Sequence, residues 1–76
     1  MNISIFGLGY VGTVSMGCLA RNGFRVIGVD INLPKVEAIN RGTAPIVEKG
    51  IEDLIGQQHL AGMVEATTDT AYAVRN

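Results

Sequence analysis

The segment Gly7–Gly12, with the sequence GLGYVG, constrains the fold of this 76-residue chain more than any other. It lies between an apolar, β-branched run at residues 2–6 and a stretch at residues 10–21 whose apolar residues recur at helical spacing. A Gly-x-Gly-x-x-Gly loop that leaves a strand and opens a helix is typical of dinucleotide binding, although the glycines alone are a weak signal. The order of elements therefore predicts a phosphate-binding loop.

Each glycine of this loop has its own steric duty in such a motif. Gly7 permits the tight turn out of the strand, Gly9 lets the backbone approach a pyrophosphate, and Gly12 lets the helix pack close to the strand. The N–H groups at the start of the helix, which Tyr10 and Val11 supply, then hold the phosphates without a lysine. The same glycines would also serve a strand-to-helix turn in another α/β protein, so a second feature is needed to choose between these interpretations.

That second feature is Asp30, which ends the next apolar run at residues 25–29. An acidic residue about 20 positions after the glycine loop, at the end of the second strand, accepts hydrogen bonds from the adenine-ribose hydroxyls in a Rossmann βαβ unit. Its charge would also repel a 2′-phosphate, and Arg25 stands at the opposite end of the strand. We therefore predict NAD, rather than NADP, as the cofactor.

The rest of the chain continues the alternation of helices and strands. In order, we predict a helix capped by Asn32 and ended by Gly42, an extended segment at 43–48, a short helix over 51–55 that ends or frays at Gly56, a strand at 63–67 and a helix from Thr70 to Val74 capped by Asp69 or Thr68. Such alternation predicts a parallel sheet. The expected fold class is α/β, a partial Rossmann fold (doubly wound parallel sheet) with about three parallel strands and flanking helices.

The last predicted helix ought to lead into a further parallel strand. In the usual Rossmann order that fourth strand lies beside the first, so we expect an unpaired apolar edge on residues 2–6. We interpret residues 1–76 as the N-terminal part of an NAD-binding domain, truncated before the fourth strand and lacking the substrate-binding and catalytic domains. The parent is expected to be a homo-oligomer, and the exposed first strand is expected to pair with another chain.

Composition argues against several other classes. A formal net charge of −1, from six basic and seven acidic residues, gives no electrostatic footprint for nucleic acid or an anionic membrane. The N-terminal apolar run is too short for a signal peptide or a membrane span. A single cysteine excludes an intrachain disulfide and favours the cytoplasm.

Neither a catalytic nor a metal-binding residue is assigned. Cys18 falls on a predicted apolar stripe of the first helix, with Val11, Val14 and Leu19, and is interpreted as a buried core residue. His59 is the only histidine and has no second His or Cys with which to form a metal site, so we expect it at the surface.

Several strings together carry a more selective resemblance than the glycines alone. They are SIFGLGYVG at residues 4–12, GVD at 28–30, Lys35, Asn40, PIVE at 45–48, Gly50 and ATTD at 66–69. On these residues, over essentially its whole length, the chain resembles the N-terminus of the UDP-glucose/GDP-mannose dehydrogenase family. Residues 4–6 and 17–20 are most similar to its GDP-mannose branch, whereas Lys49 stands where many members have proline.

The resemblance implies a parent enzyme that oxidises the C6 hydroxyl of a nucleotide sugar to a carboxylate, with two NAD per turnover and a cysteine thiohemiacetal. It also implies that Tyr10, Val11, Asp30 and Lys35 contact the cofactor, and Lys35 is a candidate on this ground alone. The catalytic residues of the family lie beyond residue 76. The chain by itself is therefore expected to be inactive, and a nucleotide-sugar substrate is expected only for the full-length protein.

Two alternatives from other classes use the same loop. The first is a non-catalytic Rossmann module that senses NAD and does no chemistry. A flavin-dependent oxidoreductase has similar N-terminal glycines, but its ribose-binding carboxylate is more often glutamate and it would have no counterpart of residues 45–48. Sequence beyond residue 76 distinguishes the enzyme from the sensor, since the enzyme would carry a Cys followed by Pro-Lys-Asp.

Overall fold

A computed structural model describes residues 2–46 and 48–75. In chain order these residues form β1 (Asn2–Phe6), α1 (Tyr10–Arg21), β2 (Arg25–Val29), α2 (Leu33–Asn40), α3 (Lys49–Leu60), β3 (Val64–Thr67) and α4 (Thr70–Arg75). Residues 43–46 connect α2 to α3 without a helix or strand; Val47, at the end of the predicted extended segment, lies outside the described residues. In the part of the chain described, no helix is long and apolar enough to cross a membrane.

The three strands form one parallel sheet in the order β1-β2-β3. Ile5 of β1 lies opposite Gly28 of β2, which in turn lies opposite Ala66 of β3. Parallel neighbours joined by helical crossovers are the arrangement that the alternating sequence pattern predicts. The predicted α/β class and the partial Rossmann sheet are therefore confirmed.

Helices cover the two faces of the sheet unequally. On one face α1, α2 and α3 enclose the main core, whose buried residues are Leu8, Met16, Ala20, Val26, Val36, Ile39, Ile55, Val64 and Ala66. On the other face Ile27 and Val29 of β2 pack against Ala73 of α4. Successive strand residues point to opposite faces, so β2 contributes to both cores.

The buried face of α1 differs from the predicted stripe. The helix buries Thr13, Met16, Gly17 and Ala20, whereas Val11 is 76% exposed. The reason is the close approach of α3, because a Cβ atom on Gly17 would lie only 2.7 Å from Cδ2 of Leu54. Three of the four buried residues are small or polar, so the hydrophobic pattern pointed to the wrong face. The prediction that Cys18 is a core residue is also wrong, since it is half-buried.

The predicted end of α3 is wrong as well, because the helix continues through Gly56 to Leu60. A Cβ atom on Gly56 would lie 3.2 Å from the carbonyl oxygen of Gly42, so glycine permits a close approach to the turn after α2. His59 is half-buried, with its ring against Gly42. The predicted third strand is one residue too long, since β3 begins at Val64.

Side chains close the helix ends and one edge of the sheet. Asn32 accepts a hydrogen bond from Lys35 N at 3.3 Å, and Asp69 accepts one from Tyr72 N at 3.2 Å, so Asp69 is the cap of α4. The amide of Asn40 both donates to and accepts from the backbone of Ala66, at 2.9 Å each. It thereby takes the place of a neighbouring strand beside β3. Among the described residues, no strand pairs with the other edge of β1.

Candidate cofactor site at the carboxyl ends of the strands

The topology places the glycine loop beside Asp30. Because β1 and β2 are parallel and Phe6 lies opposite Val29, both strands end at the same edge of the sheet. Gly7 follows β1 and donates its N–H to the carbonyl oxygen of Val29 at 2.7 Å. In open α/β sheets, ligands bind outside the carboxyl ends of the strands, which is where these residues meet.

The steric duties predicted for Gly7 and Gly12 are confirmed. Gly7 has φ +96°, a conformation that residues with a Cβ atom rarely adopt. A Cβ atom on Gly12 would lie 1.9 Å from the carbonyl oxygen of Gly7 and 3.5 Å from Cγ2 of Ile5. Only glycine allows α1 to start this close to the loop and the strand.

Gly9 leaves the outer surface of the loop open. It precedes α1 in an extended conformation, and a Cβ atom placed on it would have no neighbour within 4 Å. The first helical hydrogen bond runs from Thr13 N to Gly9 O at 3.0 Å, so the N–H groups at the start of α1 have no intrahelical acceptor. Tyr10 and Val11 supply these groups, and both residues are exposed. The first turn of α1 contains no acidic residue that would repel an anion. The space and the donors fit a phosphate group.

Leu8 fastens the loop to the rest of the domain. Its side chain is 0% exposed in the main core. Its N–H donates to Oδ2 of Asp30 at 2.8 Å, and its carbonyl oxygen accepts from Oγ1 of Thr13 at 3.3 Å. Sequence reasoning missed these contacts. A single apolar residue between two glycines was the only sequence signal that this position is anchored.

Asp30 links the loop to the start of α2. Its second carboxylate oxygen, Oδ1, accepts from Asn32 N at 2.8 Å. The hydrogen bond from Leu8 N lowers the pKa of the Asp30 carboxyl below its usual value, and so do the bond from Asn32 N and the positive charge of Lys35. Asp30 is therefore ionised at neutral pH and presents a negative charge at the predicted ribose position. Lys35 is half-buried in the first turn of α2.

Glu48 is a neighbour of the loop that sequence reasoning did not place there. It precedes α3 as its N-cap residue, yet its side chain makes no capping hydrogen bond. Its carboxylate lies beside Tyr10 instead. Its negative charge, together with the hydrogen bond it accepts from the phenol hydroxyl, raises the pKa of Tyr10 above the usual value. The start of α3 thus contacts the start of α1 at the mouth of the site.

Apolar side chains surround this end of the sheet. Among the described residues, five of the seven large apolar side chains that are exposed belong to this region: Phe6, Tyr10, Val11, Ile31 and Leu33. Ile31, directly after Asp30, is 96% exposed. Clustered exposed apolar residues commonly mark binding surfaces. No group of three or more His, Cys, Asp or Glu side chains able to hold a metal ion occurs in residues 2–46 and 48–75.

All seven residues predicted for cofactor binding lie at this end of the sheet. Gly7, Gly9, Tyr10, Val11 and Gly12 form the loop and the helix start, and Asp30 is hydrogen-bonded to that loop through Leu8. The charge of Lys35 acts on Asp30. The structure therefore brings them together, while their contacts with a cofactor remain a prediction.

The sequence is similar to known proteins over most of its length. The family model of the UDP-glucose/GDP-mannose dehydrogenase family, NAD binding domain, matches residues 1–76. GDP-mannose 6-dehydrogenase of Pseudomonas aeruginosa is 53% identical over 74 residues, which are 97% of this chain and 17% of that protein. UDP-glucose 6-dehydrogenase AglM of Haloferax volcanii is 42% identical over 69 residues, 91% of this chain and 16% of that protein.

Solved structures share the fold. A ternary complex of GDP-mannose dehydrogenase from P. aeruginosa matches with a TM-score of 0.93 at 53% identity, over 97% of this chain and 17% of that one. A UDP-glucose dehydrogenase from Pyrobaculum islandicum matches with a TM-score of 0.88 at 36% identity, over 96% of this chain and 17% of that one. The chain thus spans about one sixth of these relatives, and it belongs to the UDP-glucose/GDP-mannose dehydrogenase family, whose NAD-binding domain model it matches from end to end.

Proposed function

We propose that this end of the sheet binds the ADP-ribose portion of NAD. The residues assigned to cofactor binding are Gly7, Gly9, Tyr10, Val11, Gly12, Asp30 and Lys35. The backbone N–H groups at the start of α1 hold the pyrophosphate, and the Asp30 carboxylate accepts from the adenine-ribose hydroxyls. The observation that carries this proposal is the 2.8 Å hydrogen bond from Leu8 N to Asp30 Oδ2, which makes the phosphate loop and the ribose acceptor neighbours.

The charges favour NAD over NADP. Asp30 has a lowered pKa and is ionised, so it repels a 2′-phosphate at the position where it accepts from a 2′-hydroxyl. Arg25 is not available to neutralise such a phosphate, because it lies at the opposite end of β2 and pairs with Glu65 at 3.0 Å. Lys35 already acts on the Asp30 carboxylate.

The exposed apolar residues beyond Asp30 suit the adenine ring. Ile31 is almost fully exposed, although isoleucine is usually buried, and Leu33 is exposed close by in the chain. A base stacked on this surface would remove apolar area from water, which stabilises binding by about 25 cal/mol per Å². We assign Ile31 to the adenine end of the site.

The full-length protein is proposed to be a nucleotide-sugar 6-dehydrogenase that oxidises a C6 hydroxyl to a carboxylate with two NAD. Support comes from the names of the relatives and from their 42–53% identity to this chain. The higher identity to the GDP-mannose enzyme favours GDP-mannose over UDP-glucose. Residues 1–76 correspond to the N-terminal part of the NAD-binding domain, and we assign the chemical step to residues outside them. Because the matching family model is an NAD-binding domain, we do not pursue the flavin-dependent alternative.

Calorimetric titration tests the cofactor assignment. NAD and ADP-ribose should bind with affinities within about threefold of each other, since the described residues face only the adenosine diphosphate half, and NADP should bind at least about tenfold more weakly. Asp30→Ala should weaken NAD binding about tenfold or more, because charge-assisted hydrogen bonds are worth about 1.5–3 kcal/mol each.

Asp53→Ala is the control for that titration. Asp53 is also an exposed acidic residue, but it lies within α3 rather than at the carboxyl ends of the strands. Equal NAD affinities for the Asp30→Ala and Asp53→Ala variants would overturn the assignment of Asp30. For the full-length protein, two NADH formed per GDP-mannose support the dehydrogenase, whereas NAD binding without any NADH formation with either sugar nucleotide would favour the NAD-sensing module.

For residues 1–76 on their own, the edge of β1 is proposed to pair with a strand of another copy of the chain. At the opposite edge of the sheet, the side chain of Asn40 bonds the free N–H and C=O of Ala66 in β3. Residues 3–6, by contrast, contain no charged residue or proline that would discourage pairing at the edge of β1. Light scattering over a range of concentrations should show association, and a monomer at every concentration would contradict the pairing.

We place the protein in the cytoplasm, where its single cysteine would stay reduced.

A further inference from the structure

Thr13 has an unusual place in this domain. It is 0% exposed and is the only polar residue buried among those that the structure describes. Its hydroxyl donates to the carbonyl oxygen of Leu8 at 3.3 Å, and its backbone N–H donates to the carbonyl oxygen of Gly9 at 3.0 Å. One residue of α1 therefore holds two successive carbonyl groups of the glycine loop.

These bonds fix the direction of two N–H groups. A trans peptide unit is planar, and its C=O and N–H point in opposite directions. No peptide bond among the described residues is cis. The hydroxyl of Thr13 donates to the Leu8 carbonyl and holds it toward α1, so the N–H of Gly9 points away from α1. The backbone N–H of Thr13 donates to the Gly9 carbonyl in the first helical hydrogen bond, so the N–H of Tyr10 also points away from α1. The loop is open beside them, since a Cβ atom on Gly9 would have no neighbour within 4 Å.

Packing in the core does not by itself require the hydroxyl of Thr13. Valine has nearly the same shape and would fill the same buried volume, but it has no donor for the Leu8 carbonyl. A buried carbonyl without a donor is costly, so the Leu8–Gly9 peptide would turn to find another partner. The Gly9 N–H would then no longer point at the open side of the loop.

We propose that Thr13 is a positioning residue for the cofactor: its hydroxyl orients the Leu8–Gly9 peptide so that the Gly9 N–H faces the pyrophosphate. This inference rests on the proposed NAD-binding function and adds to it a residue that does not touch the ligand. The side chain acts through Leu8, whose N–H is held separately by Asp30. Loss of the hydroxyl should therefore weaken phosphate binding and leave the ribose acceptor in place.

Two matched pairs of the 76-residue chain test this role. The first pair is wild type and Thr13→Val, which differ in the hydroxyl but have nearly the same shape. The second pair is Thr13→Ser and Thr13→Ala, which differ in the hydroxyl at a smaller side-chain volume. The second pair serves if valine distorts the packing around residue 13. ADP-ribose is titrated by calorimetry below the melting transition of every variant. In each pair, loss of the hydroxyl should weaken ADP-ribose binding roughly three- to tenfold, the range expected when one hydrogen bond no longer holds the competent conformation.

Thr43→Val is the control for a purely structural effect. The hydroxyl of Thr43 donates to the carbonyl oxygen of Ala38 at 3.0 Å with the same five-residue separation, at the far end of α2. It should lower the melting temperature only slightly, because the Ala38 carbonyl keeps the backbone N–H of Thr43 at 2.9 Å, and it should leave ADP-ribose affinity unchanged. Equal affinities within both Thr13 pairs, or an equal loss in the Thr43→Val variant, would overturn the inference. If wild type fails to bind ADP-ribose, the proposed function itself fails.

Amide NMR spectra supply a second, site-resolved measurement. In wild type, added ADP-ribose should shift the amide signals of Gly9, Tyr10 and Ile31. In the Thr13→Val variant the Gly9 shift should shrink while the Ile31 shift persists at ligand saturation, because only the phosphate side is misdirected. A parallel loss of all three shifts at saturation would indicate general disorder and contradict a positioning role.

Discussion

Alanine substitutions at Gly9 and Gly12 should have different effects, although the two glycines are three residues apart in one motif. Gly12→Ala should lower the stability of the fold, whereas Gly9→Ala should lower ligand affinity. A Cβ atom on Gly12 would lie 1.9 Å from the carbonyl oxygen of Gly7, far inside the 3.0 Å below which real Cβ contacts essentially do not occur. The obstacle is backbone, so no side chain can rotate away. A Cβ atom on Gly9 would have nothing within 4 Å.

The expected cost of Gly12→Ala follows from that overlap. Either α1 or the loop must move by more than an ångström, and the loop is held by the 2.7 Å hydrogen bond from Gly7 N to Val29 O. Overpacking of this kind costs about 1–3 kcal/mol. A domain this small is stabilised by only about 3–5 kcal/mol, so Gly12→Ala should lower the melting temperature by roughly 10–20 °C.

Gly9→Ala should leave the fold intact and remove the function. Its extended backbone is accessible to alanine, and the stability should change by less than about 1 kcal/mol, because the poorer cap offsets the smaller unfolded-state entropy. The added methyl group, however, occupies the open side of the loop where the pyrophosphate must approach. We expect ADP-ribose affinity to fall at least about tenfold.

Circular dichroism melting and calorimetric titration together check this pair. Titrations are done well below the lower melting temperature, so that both variants are folded when ligand is added. A Gly12→Ala variant that melts with wild type would refute the steric argument for the helix start. A Gly9→Ala variant that binds ADP-ribose like wild type would refute the placement of the phosphates.

Three further predictions concern the charges and the sheet edge. Asp30 has a folded pKa below its usual 3.8, so its stabilising effect is present above that value and is lost as pH falls through the lower folded pKa; urea unfolding of Asp30→Asn should show a weaker loss of stability in acid. Glu48→Gln should return the pKa of Tyr10 toward its usual value, as followed by tyrosinate absorbance in a Tyr72→Phe background. Asn40→Ala should cost about 1–3 kcal/mol of unfolding free energy and increase association in light scattering, because the edge of β3 loses both amide bonds.

The sequence predicts the glycine loop well because its requirements are local. A positive φ at Gly7 is a property of one residue, and the cap that Asn32 provides involves a residue only three positions away. Such signals are independent of the rest of the fold. The two parallel pairings also follow from chain order, since short crossovers through helices leave few other arrangements.

The buried face of α1 and the length of α3 are not predictable in this way. Both depend on glycines that allow close contacts between distant segments, Gly17 with Leu54 and Gly56 with Gly42. A glycine in a hydrophobic pattern counts as a gap or a helix end, although here it marks the closest packing. Only the tertiary structure tells whether a glycine is a break or a contact.

The anchoring of Leu8 shows the same limit at the site itself. Its N–H and C=O are held by Asp30 and Thr13, which belong to different elements of the chain. Spacing placed Asp30 near the loop but did not show that its carboxylate already accepts two backbone hydrogen bonds before any cofactor is considered. Asp30 must therefore keep these two hydrogen bonds while it accepts from the ribose, as proposed above.

An ionised carboxylate has about four lone-pair sites on its two oxygens. Asp30 accepts from Leu8 N on Oδ2 and from Asn32 N on Oδ1, and the backbone N–H of Ile31 also lowers its pKa, so the carboxylate keeps acceptor capacity for a ribose hydroxyl. Ribose can therefore bind without displacing either backbone donor. Thr13 and Val29 hold other backbone groups of the loop. If the loop binds phosphate as proposed, its donors are already oriented in the free domain, and little ordering cost should oppose binding. On the proposed function, the carboxylate that accepts from the ribose would also help to build the loop that holds the phosphates, because its hydrogen bond from Leu8 N fixes that loop in the free domain.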